Sequence, residues 1–166
     1  MKPADFVTTL LIDQTPKEAF NAINNVRGWW SEEVEGSTEK LNDEFIYHYA
    51  DLHYCKMKVI ELIPSQKMVL LVLDNYFKFT KDKSEWKDTK LVFDISQKDN
   101  QTEIRFTHEG LVPQYECYEI CRKAWINYIN NSLRNLITTE KGQPNPKEKE
   151  DDGFDVQSVE KWKLEQ

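Results

Sequence analysis

Polar and apolar positions along residues 5–139 switch between a period of two and a period near 3.6, and the switches mark the elements. Phe6–Ile12, with the run VTTLLI, reads as a strand. Thr15-Pro16 then opens a helix, with Thr15 as N-cap, Pro16 at the first helical position and Glu18 three residues past the cap. Ala19, Phe20 and Ile23 share one face of this helix, and Asn24-Asn25 end it. Residues 26–30 form a short hydrophobic turn with two adjacent tryptophans, and the polar stretch 31–43 reads as a loop with some extended structure. From Glu44 the period is two. Phe45, Tyr47 and Tyr49 alternate with Ile46 and His48, and residues 50–52 turn the chain. His53–Ile63 sets His53, Cys55, Met57 and Val59 opposite Tyr54, Lys56 and Lys58. Pro64-Ser65-Gln66 leads into an apolar run over 68–73, and a charged connection over 77–88 holds Trp86. Residues 89–96 alternate through Leu91, Phe93 and Ile95, and Asp99-Asn100 is a hairpin turn into a strand over 102–108. That strand carries Ile104, Phe106 and His108 on one side.

Gly110 and Pro113 interrupt the last strand, and a long helical pattern follows. At about 100° per residue, Tyr118, Cys121, Trp125, Tyr128, Ser132 and Leu136 share roughly one quarter of the helical wheel, flanked by Ile129 and Leu133. Lys123, Asn127, Asn130 and Arg134 lie opposite. The pattern predicts a helix laid across a sheet. Most of its stripe fits ordinary core packing, but the hydroxyls of Tyr128 and Ser132 need partners when buried, which points to a cavity with a few polar groups among apolar walls. Gly142 fits a helix stop, and residues 141–166 form a charged tail. Val156, Val159 and Trp162 fall on one side of a short terminal helix within it.

Composition narrows the classes. Hydrophobic residues make up 39% of the 166-residue chain and aromatic residues 12%, so a single domain is expected whose core or cavity is walled by rings. A formal net charge of -7 argues against nucleic-acid binding and against attachment to an anionic membrane surface. No stretch approaches the roughly 20 apolar residues of a membrane span. The start, MKPADFVTTLLID, lacks the apolar core of a signal peptide, and three cysteines without a C-x-x-C spacing fit free thiols, so a cytoplasmic setting is expected.

The chemistry available is limited. His108 and His53 sit on strand faces that can point inward, and either could act as a general base with Glu61 or Tyr128 assisting. For His108 a structural hydrogen bond at the strand end is the preferred reading. Two histidines with Cys117 or Cys121 do not make a zinc site, because no close-spaced ligand pair complements the two thiols on one helical turn. A disulfide between those cysteines is opposed by helical geometry. There is no G-x-S-x-G, no phosphate-cradling glycine loop and no H-E-x-x-H, and neither metal nor cofactor is expected.

The order of elements together with local motifs carries a family resemblance. Thr15-Pro16 with Ala19-Phe20 and Ala22-Ile23, Trp29-Trp30, Val59-Ile60-Glu61 before Pro64, Thr89 opening a strand, Thr107-His108-Glu109-Gly110-Leu111 and Ala124-Trp125 occur in sequence over roughly residues 5 to 139. On these residues the chain resembles the START-like (SRPBCC) helix-grip superfamily, and within it the group similar to the C-terminal domain of the activator of Hsp90 ATPase. Many members carry glycine before the last tryptophan, where this chain has Ala124. The resemblance implies an α+β helix-grip fold, START-like and Bet v 1-like, with a curved antiparallel sheet wrapped around a long C-terminal helix over residues 1–140. It implies a cavity between sheet and helix, lined here by Trp29, Tyr47, Tyr49, His53, Phe93, Phe106, His108, Tyr118, Cys121, Trp125, Tyr128 and Ser132. One of the paired tryptophans is expected to pack inward, with an exposed gate or contact surface as an option for its neighbour; for this pair and for Trp86 core anchoring is the preferred reading. The expected partner is a small apolar or aromatic ligand, with a homodimer through exposed rings near Trp30 or Trp162 as a further option. A cyclase or hydrolase using the same cavity, and a co-chaperone role toward Hsp90, are the alternatives the superfamily offers.

Overall fold

The computed structural model describes residues 5–32, 34–49, 53–77, 86–111 and 118–144. Seven strands form one antiparallel sheet: β1 (Phe6–Ile12), β2 (Val34–Gly36), β3 (Glu44–Tyr49), β4 (His53–Ile63), β5 (Lys67–Phe77), β6 (Lys90–Lys98) and β7 (Gln101–Glu109). Their spatial order is β1-β7-β6-β5-β4-β3-β2, a meander from β2 to β7 with β1 added beside β7. Two short helices, α1 (Pro16–Asn24) and α2 (Val26–Trp29), fill the connection between β1 and β2. The C-terminal helix comprises α3 (Tyr118–Trp125), a π-helical segment Ile126–Leu133 and α4 (Arg134–Thr139).

Local chemistry accounts for the boundaries. The Thr15 hydroxyl accepts a hydrogen bond from the Glu18 backbone N–H at 3.1 Å, as the cap pattern predicts. Along β7, Thr102, Ile104, Phe106 and His108 are buried while Gln101, Arg105 and Glu109 are exposed, so the period-two reading holds. The hairpin turn after β6 sets Asp99 at φ 57, a left-handed position that Asp tolerates. Gly110 adopts φ 100 in the bend after β7, and the following Leu111 is fully buried with its carbonyl accepting the Phe6 N–H at 3.1 Å.

Two expectations are corrected and one is made specific. The strand expected over 68–73 extends to Phe77, because β4 pairs with the β-poor residues as well: Lys56 with Asp74 and Cys55 with Asn75. Residues 78–85 of the expected connection lie outside the described part. The extended structure expected within the loop over 31–43 is β2, which pairs with residues 45–47. The last helix is not uniform: its π segment uses more residues per turn than the 3.6 assumed from sequence. The inward stripe therefore slips, so that Ile137 is 7% exposed whereas Leu136 is only partly buried.

Candidate functional site

The interior between sheet and C-terminal helix is a continuous set of rings. Trp29, Phe93, Phe106 and His108 are fully buried, Tyr47, Trp125 and Ser132 are within 1% of it, and Cys121 and Tyr128 are also buried. Tyr118 is partly buried against the same core. Tyr49 belongs to β3 by its backbone, but its side chain lies outside the described part, as do Cys117 and Trp162. His53 keeps some exposure as a residue, although its Nε2 is shut off from solvent.

Trp30 is the hub, and it is not exposed. Trp29 and Trp30 are 0% and 1% exposed and stack at 5.5 Å, so the core-anchoring reading holds for both and the option of an exposed gate or dimer contact at Trp30 is overturned. The cause is α2: one turn from Val26 carries both indoles under the C-terminal helix. Trp30 stacks on Tyr47 at 4.4 Å and meets Trp125 at 5.2 Å and Tyr128 at 6.4 Å. Trp86 joins the set, stacked on Trp125 at 5.6 Å and edge-on to His53 and His108 at 4.7 and 4.6 Å. These centroid distances fall in the range of favourable aromatic pairs. Inside the ring set, the hydroxyls of Tyr47 and Tyr128 are 3.1 Å apart.

His108 closes a hydrogen-bond chain. An indole N–H only donates, so Trp125 Nε1 at 3.0 Å makes His108 Nδ1 the acceptor. Nε2 then carries the proton and donates to the Thr89 hydroxyl at 2.8 Å, and that hydroxyl donates to the Trp86 carbonyl. Burial, with a smaller contribution from nearby His53, holds the imidazole neutral and lowers its pKa to about 3. Burial does the same for His53, also to about 3. In Cys55, which is fully buried on β4, burial pushes the thiol pKa up and the Asp74 carboxylate adds to it, so the sulfur stays protonated. No group of three His, Cys, Asp or Glu side chains among the described residues is placed to hold a metal ion.

Ser132 serves the architecture. Its hydroxyl donates to the Trp29 carbonyl at 2.7 Å and accepts the Gln143 backbone N–H at 2.7 Å, which fastens α2, the π segment and residues 141–144 together. Sequence reading singled out neither Trp30 nor Trp86 for the site, and it passed over Asn75 and the Thr89 hydroxyl. Thr89 and Trp86 sit on a short polar turn whose inward direction follows from pairing, not from periodicity. A separate groove of about 260 Å3 lies away from the rings, lined by Asn21, Asn24, Arg27, Ser37, Thr38 and Glu39. Arg27 is already committed there, donating to the Val34 and Gly36 carbonyls.

Solved structures share this architecture. The solution structure of the Aha1 dimer from Colwellia psychrerythraea aligns with a TM-score of 0.68 at 19% identity, over 84% of this chain and 99% of that one. The crystal structure of DynU16, from the dynemicin biosynthetic locus, gives 0.65 at 10% identity, over 88% of this chain and 52% of that one. CalU16 from Micromonospora echinospora gives 0.58 at 11% identity, over 81% and 76%. The fold is helix-grip. No family profile and no curated protein matches the chain. Within this helix-grip body, no helix among the described residues is long and apolar enough to cross a membrane.

Proposed function

We propose that this helix-grip protein binds a small apolar or aromatic ligand between the sheet and the C-terminal helix. The observation that carries the reading is the ring set itself, with Trp30 at the end of α2, Tyr47 on β3, Trp86 on the turn before β6, Trp125 on α3 and Tyr128 on the π segment gathered around one hydroxyl pair. In the described interior these rings meet one another. Ligand uptake would exchange ring–ring contact for ring–ligand contact, and only a flat or apolar molecule offers surface of the same kind. Binding is favoured over catalysis because both nitrogens of His108 are engaged by protein groups, which leaves no lone pair to take a proton.

The test is a titration of the purified protein with 2-ethylnaphthalene, followed by tryptophan fluorescence and by melting temperature. Saturable quenching together with a raised melting temperature is expected. Loss of both responses in Trp30→Ala, alongside a folded circular dichroism spectrum, would place the ligand among the rings. A wild-type protein that shows neither response sinks the reading.

A further inference from the structure

Among the described residues, the side-chain nitrogen of Asn75 is buried in this interior without a protein partner. β5 carries an extra residue opposite β4: Met57 pairs with Val72, but the next pair is Lys56 with Asp74, so Leu73 bulges. Before the bulge Met68, Leu70 and Val72 are buried; beyond it Asp74 is exposed and Asn75 is 4% exposed. A bulge of this kind re-aims the following side chains to the opposite face. Here it exchanges the sides of Asp74 and Asn75, so that a carboxamide rather than a carboxylate enters the core. Asn75 lies directly across from Cys55, which pairs in turn with Tyr47, and all three are buried in one row.

The orientation of the carboxamide is fixed. Its Oδ1 accepts the Trp86 backbone N–H at 3.1 Å, and an N–H can be accepted only by the oxygen. The amide nitrogen is therefore the free end, and Nδ2, buried from water, has no hydrogen-bond partner among the described residues. Buried donors are almost always satisfied, and leaving one unmade is costly compared with an apolar side chain of the same shape.

We propose that the Asn75 carboxamide is the polar recognition element of the ligand site, donating a hydrogen bond to a neutral acceptor oxygen, such as a ketone or ester carbonyl, on an otherwise apolar ligand. The inference rests on the ligand-binding reading above and narrows the class of ligand. Neutrality follows from the surroundings. Asp74 is the adjacent charge, both neighbouring imidazoles are held uncharged, and Cys55 stays a thiol, so none of these described neighbours offers Nδ2 a cation to compensate an anion.

The experiment compares two probes that differ in one acceptor, 2-acetylnaphthalene and 2-ethylnaphthalene, on the wild type and on Asn75→Leu. The ratio of their dissociation constants should favour the ketone about tenfold more in the wild type than in the variant. Equal ratios in the two proteins, with both probes bound, overturn the role of Asn75 and leave the ligand-binding reading intact. Failure of the wild type to bind either probe overturns both. Should Asn75→Leu not fold, the side-chain NH2 resonances of Asn75 in the 15N-labelled wild type decide. They are expected to shift downfield with the ketone and not with the hydrocarbon, and an identical response to both overturns the proposal.

Discussion

Two donors and one acceptor chain hold His108: the Trp125 indole, its own Nε2–H, and the Thr89 hydroxyl passing on to the Trp86 carbonyl. Each link fixes the next, so the tautomer is set by the indole. Replacing Trp125 with Phe keeps a ring among Trp30, Phe106 and Trp86 but removes the indole N–H that donates to Nδ1. The variant is expected to lose about 2–4 kcal/mol in urea denaturation, from the unsatisfied nitrogen and the smaller ring together. NMR of the His108 ring should show the Nε2–H tautomer in the wild type and a mixture in Trp125→Phe. An unchanged tautomer would mean that some group other than the indole sets it.

Among elements, the C-terminal helix shows what the sequence makes legible and what it does not. Alternation located β3, β4, β6 and β7, and the Thr15-Pro16 cap located α1, because those signals are local. The ring stripe from Tyr118 to Ser132 was legible for the same reason. The π segment was not: an i→i+5 pattern depends on how the helix must sit on β1 and α2, and no residue type announces it. Trp86 and Asn75 escaped for a related reason, since one lies on a turn and the other beyond a bulge that reverses the faces of β5. Gly142 lies beyond the helix stop: the helix ends at Thr139 with Glu140 left-handed at φ 67. The reason for glycine is close approach: a Cβ at position 142 would stand 2.3 Å from the Gly28 carbonyl oxygen and 3.0 Å from that of Ser132. Both obstacles are backbone, so neither can rotate away. Gly142→Ala should therefore destabilise the protein by about 1–3 kcal/mol. It should also weaken the Gln143–Ser132 bond, seen as faster exchange of the Gln143 amide hydrogen. Wild-type stability in this variant would show that residues 141–144 are not held against α2.

At the scale of the whole molecule, the ring set makes stability depend on pH. An unfolded chain titrates its imidazoles near 6.5, whereas burial holds His53 and His108 at about 3 in the fold. Between these values the unfolded state binds protons that the folded state refuses, so acidification through this window favours unfolding. The contribution of each histidine is complete above pH 6.5 and falls by up to about 1.4 kcal/mol per pH unit until the folded value is reached. Two such groups acting together remove about 5 kcal/mol over two units, comparable with the whole stability of a marginal domain. Because β3, β4, β6, β7 and the C-terminal helix all contribute rings, near-ultraviolet and far-ultraviolet circular dichroism should be lost in one transition. Urea midpoints measured from pH 7 down to 4 should fall steadily. In His53→Phe, which preserves a ring beside Tyr47 and Trp86, the slope should be about half as steep. Carboxylates titrating in the same range affect both proteins alike and cancel in that difference. Parallel curves for the wild type and His53→Phe would mean that the imidazole reaches water in the folded protein, and that the interior is open at this point without any ligand.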